Sequence, residues 1–163
     1  MNEEQEEMME KVDEAFEQFK RVDHLIHVSL KYTRTIDVFV NILGRIIETY
    51  EFIVDGLMML SKQQGRIREI PLTPIEKARL VLELYDDETI REHLNNYMTF
   101  RKIVRSGHNK INEYRRHVAL ITEVDGDEHI INIDMMHEYY EKLHEFIFYI
   151  RKFMNDESSI TAK

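Results

Sequence analysis

Apolar residues recur at alternating steps of three and four over most of this chain, and this spacing restricts the fold more than any other feature. Such steps place side chains on one face of an α-helix, whereas a half-buried strand alternates every second residue. The pattern therefore predicts long amphipathic helices. In the first 60 residues the inward positions are Val12, Phe16, Phe19, Val22, Ile26, Leu30, Ile36, Val40, Leu43, Ile47, Tyr50, Val54 and Leu57.

The first helical stretch is too long to be one element of a compact domain. A straight helix over residues 3–60 would be about 85 Å long at 1.5 Å per residue. We therefore predict a turn near residues 31–35, where Thr33 and Thr35 are potential helix caps. An unbroken helix would instead imply an elongated dimer.

Capping residues divide the rest of the chain. Thr73, Pro74 and Glu76 form a capping-box pattern and predict a short helix to about Leu84. Asp86 or Asp87 then caps a helix with inward positions Ile90, Leu94, Tyr97, Phe100, Val104, Ile111, Tyr114, Val118 and Ile121. After a turn at Asp125 and Gly126, the last helix carries a heptad pattern at Ile133, Met136, Tyr140, Leu143, Ile147, Ile150 and Met154.

These elements predict an all-α fold. The long helices would form an antiparallel, up-and-down four-helix bundle, with one short extra helix in the crossover. A single helical-bundle domain would cover residues 1–154, followed by a flexible polar tail over residues 155–163. Residues 121–131 leave two alternatives, a loop or a small β-hairpin, because β-branched residues flank the turn pair.

Composition excludes several classes of protein. The sequence has no cysteine, which excludes disulfides, thiolate metal sites and cysteine nucleophiles. The formal net charge of −9 argues against a surface that attracts nucleic acid or anionic lipid as a whole. The N-terminus is acidic, and no run of about eighteen apolar residues occurs. We therefore expect a cytoplasmic protein with no membrane contact and no cofactor.

One basic segment stands out in this acidic chain. Residues 100–117, FRKIVRSGHNKINEYRRH, contain six Lys or Arg residues and one Glu. On a helix, a polar stripe beside the apolar face would consist of Arg101, Arg105, His108, Asn112 and Arg115. Arginine donors suit phosphate or carboxylate, and a histidine can move a proton near neutral pH. The stripe is thus a candidate anion site, and the only part of the chain expected to contact nucleic acid.

The alternative interpretation is that the same stripe forms an internal salt ladder, that is, a row of ion pairs between two helices. The helix over residues 36–60 has its own polar stripe, made of Asp37, Asn41, Gly44, Glu48, Glu51 and Asp55. The acids Asp37, Glu48, Glu51 and Asp55 would neutralise or support the arginines, since a buried arginine usually has a partner. Gly44 and Gly107 lie inside predicted helices, which suggests a close approach or a small polar pocket between them.

The spacing from Arg101 to His108 resembles that of HEPN domains, small helical bundles that include dimeric RNA-cutting toxins. In that family a polar residue commonly follows the arginine, and the motif lies near the start of the last helix. Here Lys102 follows, and another long helix comes afterwards. The resemblance implies that Arg101 and His108 would act on a phosphodiester across a dimer interface.

The last helix offers two further groups of residues. His137, Glu141 and His144 project along one flank and are a candidate metal site, or alternatively a solvated boundary stripe. A second apolar strip, about 90° from the heptad core, comprises Met135, Tyr139, Phe146, Tyr149 and Phe153. Either this helix is central in the bundle, or the strip is a homodimer interface.

No pattern in the sequence determines one chemistry. The leading functional hypothesis is a non-enzymatic helical-bundle protein with an interaction or regulatory role, acting as a homodimer or through a protein partner. The alternatives are an anion-binding or HEPN-like RNA-cleaving site on Arg101, Arg105 and His108, and a metal-binding carboxylate–histidine bundle.

Overall fold

The protein is mostly helical in the computed structural model, which describes residues 2–106, 110–114 and 117–161, without the side chains of 110–114, 117–118 and 159–161. No described helix is both long enough and apolar enough to cross a membrane. The elements in chain order are α1 (Glu3–His24), a π-helical turn (Leu25–Ser29), α2 (Leu30–Tyr32), α3 (Ile36–Gln63), α4 (Pro74–Leu84), α5 (Glu88–Arg105), β1 (Lys110–Tyr114), β2 (His117–Val124), β3 (Asp127–Asn132) and α6 (Ile133–Thr161).

Three predicted helix starts are confirmed by their caps. The side chain of Thr35 accepts a hydrogen bond from the Val38 backbone N–H at the start of α3. The side chain of Thr73 accepts a backbone hydrogen bond in the same way at the start of α4, and the side chain of Asp87 does so at the start of α5. Each cap satisfies a backbone donor that the first helical turn leaves unpaired. The predicted turn between α1 and α3 is therefore confirmed, whereas the π-helical turn that precedes it had no signal in the apolar spacing.

The prediction of a helix continuing to Ile121 is wrong. Helix α5 ends at Arg105, and the chain then forms a three-stranded antiparallel sheet in the order β1-β2-β3. The β-hairpin alternative for residues 121–131 is correct: Asp125 and Gly126 both have positive φ, at 53° and 84°, as a tight two-residue turn requires. Leu120 and its partner Ile131 are buried against the helices, so the sheet contributes to the core.

Helix α3 packs against α1, α4, α5 and α6 and supplies the largest part of the core. The heptad of α6 is buried at Met136, Leu143, Ile147, Ile150 and Met154, while Ile133 and Tyr140 are half-buried. Helix α6 continues through residues 155–161, which the sequence analysis assigned to a tail. A hydrogen bond of 2.9 Å from Gln64 Nε2 to Glu157 Oε2 ties this last part of α6 to the end of α3.

The two glycines inside α3 have different surroundings, and this difference predicts opposite responses to alanine. A Cβ on Gly44 would meet no heavy atom within 4 Å, so Gly44 borders open space and not a close helix contact. We expect Gly44→Ala to raise the free energy of unfolding by about 0.5–1 kcal/mol, because alanine restricts the unfolded chain and favours helix. Urea unfolding followed by circular dichroism measures the change.

Gly56→Ala is the matched variant on the same helix. Its Cβ would lie 2.9 Å from Cε of Met154, so the Met154 side chain would have to move. The gain in helix propensity is then offset by repacking, and Gly56→Ala should stabilise less than Gly44→Ala. A loss of stability in Gly44→Ala would mean that the space beside Gly44 is occupied in solution.

Candidate functional site

A groove of about 290 Å³, called the central groove below, opens between α3, α4 and α5 with one side closed by α1. Its three carboxylates lie on consecutive turns of α3, so the helical spacing of the sequence places them on one wall. Aromatic and aliphatic side chains form most of the remaining surface, together with one amide and one lysine. The lining residues are Gln18, Glu48, Glu51, Phe52, Val54, Asp55, Pro74, Lys77 and Tyr97.

Glu51 is the most strongly held carboxylate of the groove. Its Oε2 accepts a hydrogen bond from Tyr97 Oη at 3.0 Å and another from Arg101 Nη1 at 2.8 Å. Burial raises the pKa of Tyr97, and the charge of Glu51 raises it further. Tyr97 therefore stays protonated at neutral pH and acts as a donor rather than as a base.

The other two carboxylates also have cationic partners. Asp55 accepts from Lys77 Nζ of α4 at 2.8 Å, and Glu48 pairs with Arg45 one turn earlier on α3 at 3.2 Å. Glu51 and Asp55 are the more firmly positioned of the three, because their cationic partners come from other helices. The carboxylates nevertheless keep further acceptor lone pairs, since a carboxylate accepts about four hydrogen bonds.

The predicted arginine stripe is brought together only in part. Arg101 pairs with Glu51, as the salt-ladder interpretation expected, while Arg105 is exposed near the end of α5. The stripe was predicted on one continuous helix, and this is wrong at Asn112, which lies on strand β1. His108, Arg115 and the side chain of Asn112 lie outside the described residues, as does Gly107.

The predicted supporting acids behave differently from one another. Glu48, Glu51 and Asp55 all line the central groove, whereas Asp37 is exposed in the first turn of α3. A polar pocket beside α3 and α5 therefore exists, but its wall is acidic, and Lys77 joins it from α4. Sequence reasoning missed Lys77, because α4 had only its cap and its length as signals.

The candidate metal residues do not form a metal site among the described residues, where no group of three or more ligating side chains comes together. His144 instead stacks on the ring of Phe19, with centroids 4.9 Å apart and an interplanar angle of 9°. The rings of His137 and His27 form a T-shaped contact with their centroids 5.8 Å apart, and Glu141 is exposed. These side chains serve the boundary between α1 and α6.

The second apolar strip of α6 packs against the same chain. Phe146 is only 1% exposed, while Met135, Tyr139 and Phe153 are half-buried and Tyr149 is bonded through its hydroxyl to Asp87. Packing within the chain therefore accounts for most of the strip, whereas Tyr149 is 36% exposed and stays a candidate contact for a second copy. The ring contacts are Phe146 on His93 at 4.0 Å, Tyr139 on Phe100 at 4.9 Å and Phe153 on Tyr85 at 5.5 Å.

A buried histidine that the sequence analysis missed lies beside the central groove. His93 is 9% exposed, and its Nδ1 shares a hydrogen bond of 2.8 Å with Tyr50 Oη. Burial is the main reason that its pKa falls to about 4. The sequence did contain a signal for this burial, because His93 lies three residues after Ile90 and four before Tyr97, on the inward face of α5.

Comparison with models of protein families, with curated proteins and with solved structures finds no match for this chain.

Proposed function

We propose that this protein is a non-enzymatic regulatory protein that works by binding, and that the central groove is its ligand site. The observation that supports this proposal is a concave site whose carboxylates, Glu48, Glu51 and Asp55, are each held by a cation beside an aromatic surface. Recognition sites commonly combine a mostly apolar cleft with a few fixed polar groups.

The polar groups around the groove favour binding over catalysis. Tyr97 is a protonated donor to Glu51, and the imidazole of His93 is stacked on Phe146 inside the core. A general base has to reach the proton that it removes, within hydrogen-bond distance of a bound substrate. His93 is not among the residues that line the groove, and it is bonded to Tyr50.

The chemistry of the lining favours a small organic amine as the ligand. Acceptors outnumber donors on the wall, so a ligand that supplies N–H groups would satisfy the remaining lone pairs. The rings of Phe52 and Tyr97 offer the apolar body of such a ligand a surface to pack on, beside cations of the protein itself: Lys11 Nζ lies 5.9 Å from the centre of the Phe52 ring, and the Arg101 guanidinium lies 5.8 Å from that of Tyr97. A compact amine with an apolar body fits a groove of about 290 Å³.

Benzylamine and benzoate test this proposal, because they share a ring and carry opposite charges. Calorimetric titration should show binding of benzylamine and none of benzoate. Glu48→Gln should weaken benzylamine binding about tenfold through the loss of one charged acceptor. Glu138→Gln is the matched control, since Glu138 pairs with Lys142 on the exposed face of α6.

Two results would contradict the amine proposal. Benzoate binding equal to that of benzylamine would show that the acidic wall does not select the ligand. Equal weakening in Glu48→Gln and Glu138→Gln would show that the effect arises from net charge alone.

We further propose that the four long helices form the antiparallel up-and-down bundle. Ser61, near the end of α3, pairs with Tyr85 just before α5, and Glu51 pairs with Arg101 near the end of α5, which supports opposite directions for the two helices. Helix α1 contacts α6 at Asp23–Tyr140 and at Asp13–Arg151, which supports opposite directions for these two helices as well.

Homodimerisation, a protein partner and a cytoplasmic location stay predictions. Light scattering tests homodimerisation.

A second candidate function is an anion-binding site on the arginine stripe, or the RNA-cleaving site implied by the HEPN resemblance. The observation that favours it is Arg101, whose Nε is buried without a hydrogen-bond partner although Nη1 is bonded to Glu51. Arg105 lies one turn later and is exposed. If this candidate is correct, the protein cleaves single-stranded RNA, and Arg101→Ala and His108→Ala each abolish cleavage. Intact RNA after prolonged incubation with the wild-type protein would remove the RNA-cleaving candidate.

A further inference from the structure

A second concavity, called the α1–α3 cleft below, has a volume of about 370 Å³ and lies between the C-terminal half of α1 and the first turns of α3. Its walls are distinct from those of the central groove: Arg45 lines the cleft, whereas its partner Glu48 lines the groove. The cleft is lined by Glu17, Lys20, Arg21, His24, Leu25, Asn41 and Arg45.

The charge of the cleft is opposite to that of the protein. Three permanent cations, Lys20, Arg21 and Arg45, line it together with one carboxylate, that of Glu17. The chain as a whole has a formal net charge of −9. A concave surface concentrates the field of its charges, so the cleft is a local attractor for anions within an otherwise repelling surface.

Arg21 retains hydrogen-bonding capacity that the cleft does not use. Its Nη1 donates to the neutral amide of Gln18 at 3.2 Å, and within the described residues its guanidinium has no carboxylate partner. The Lys20 ammonium pairs with Glu17 at 3.0 Å, and Arg45 pairs with Glu48 at 3.2 Å. A guanidinium carries five N–H donors in a planar fork, so Arg21 and Arg45 can each bind an oxyanion as well.

We infer that the α1–α3 cleft binds a compact organic phosphate. Arg21 from α1 and Arg45 from α3 hold the phosphate oxygens from opposite walls, and Lys20 adds a third positive charge. The half-buried side chain of Leu25 gives the organic part an apolar contact, and the Asn41 amide offers it a hydrogen bond. The inference goes beyond the proposed amine site and does not depend on it, because Arg21 is not part of the central groove.

The same phosphate chemistry occurs in soluble metabolites and in lipid headgroups. Ribose 5-phosphate is the soluble probe, and inorganic phosphate tests whether the organic part contributes. Vesicles of phosphatidylcholine with phosphatidic acid present a phosphate monoester at a surface. The soluble probe is favoured, because Leu25 and the Asn41 amide offer contacts to its organic part beside the cations.

The experiment is a calorimetric titration of the full chain at about 0.15 M salt, where exposed charges are screened beyond about 8 Å. We expect ribose 5-phosphate to bind the wild-type protein and Arg21→Gln to weaken it about tenfold, since a charged donor pair is lost. Arg45→Gln should weaken it similarly, whereas Arg45→Lys should keep part of the affinity. Arg151→Gln is the matched control, because Arg151 is a half-buried arginine of α6 that is bonded to Asp13 and does not line the cleft.

The outcomes separate the inference from its alternatives. No binding of ribose 5-phosphate to the wild-type protein overturns the inference, and so does an equal loss in Arg21→Gln and Arg151→Gln. Vesicle binding that exceeds soluble binding and depends on Arg21 overturns the assignment to a soluble phosphate. Circular dichroism of each variant checks the fold, and unchanged benzylamine binding by Arg21→Gln shows that the central groove is intact.

Discussion

Replacing Phe146 with alanine should lower the free energy of unfolding by about 3–5 kcal/mol. The ring is 1% exposed and lies parallel to the imidazole of His93 at 4.0 Å, with Tyr50 at 5.9 Å on another side. Alanine would remove a whole ring from a packed core and leave a cavity that the helices cannot fill completely. Urea unfolding measures the loss, which is a large part of the 5–15 kcal/mol typical of a domain's stability.

Phe148→Ala is the matched control, two residues further along α6. Phe148 is 57% exposed, and its ring contact is with His144 at 5.1 Å. Its loss should change the free energy of unfolding by less than about 0.5 kcal/mol. The alternative of a dimer interface predicts a different result: the stability of the wild-type protein would depend on its concentration, and Phe146→Ala would remove that dependence.

The helices of this fold were predictable where two signals agreed. The three-and-four spacing gave the inward faces of α1, α3 and α6, and capping residues gave the starts of α3, α4 and α5. Thr35 shows how the signals combine, because the apolar spacing alone runs past it without a break. A local hydrogen-bonding group was needed to locate the end of one helix and the start of the next.

The prediction failed after Arg105 because short apolar runs fit more than one period. Ile111, Tyr114, Val118 and Ile121 follow steps of three and four, and the helix was extended through them. The segment over residues 117–124, HVALITEV, also alternates every second residue, with Leu120, Thr122 and Val124 turned inward in β2. Its β-branched residues favour a strand, and the turn at Asp125 and Gly126 then sets the hairpin register.

The candidate site was predictable only along one helix. The stripe on α3 placed Glu48, Glu51 and Asp55 on one face, and these three do line the central groove. Their partners come from different elements, Arg101 from α5 and Lys77 from α4, and pairing between helices depends on packing that the spacing of one helix does not encode. The interpretation as a salt ladder thus anticipated the pair Arg101–Glu51, while the shape of the groove needed the fold.

The buried imidazole of His93 should make the protein sensitive to acid. Burial lowers its pKa to about 4, a shift that the charge of Glu92 partly opposes, whereas an exposed histidine titrates near 6.5. Above about pH 6.5 both the folded and the unfolded chain carry a neutral His93, and its full contribution to stability is present. As the pH falls from about 6.5 to 4, the unfolded chain binds a proton that the folded chain excludes, so stability falls by up to about 3 kcal/mol.

The difference between two pH profiles isolates this contribution, since the carboxylates titrate in both proteins. Urea unfolding of wild-type protein and of His93→Gln between about pH 7.5 and pH 4.5 should show a steeper loss in the wild type. Glutamine keeps an amide near Tyr50 but lacks the stacked ring, so we expect His93→Gln to be less stable than the wild type at neutral pH. Because glutamine cannot become charged, the variant should lose less of its stability as the pH falls. Parallel profiles for wild type and His93→Gln would show that the imidazole of His93 reaches water in the folded protein.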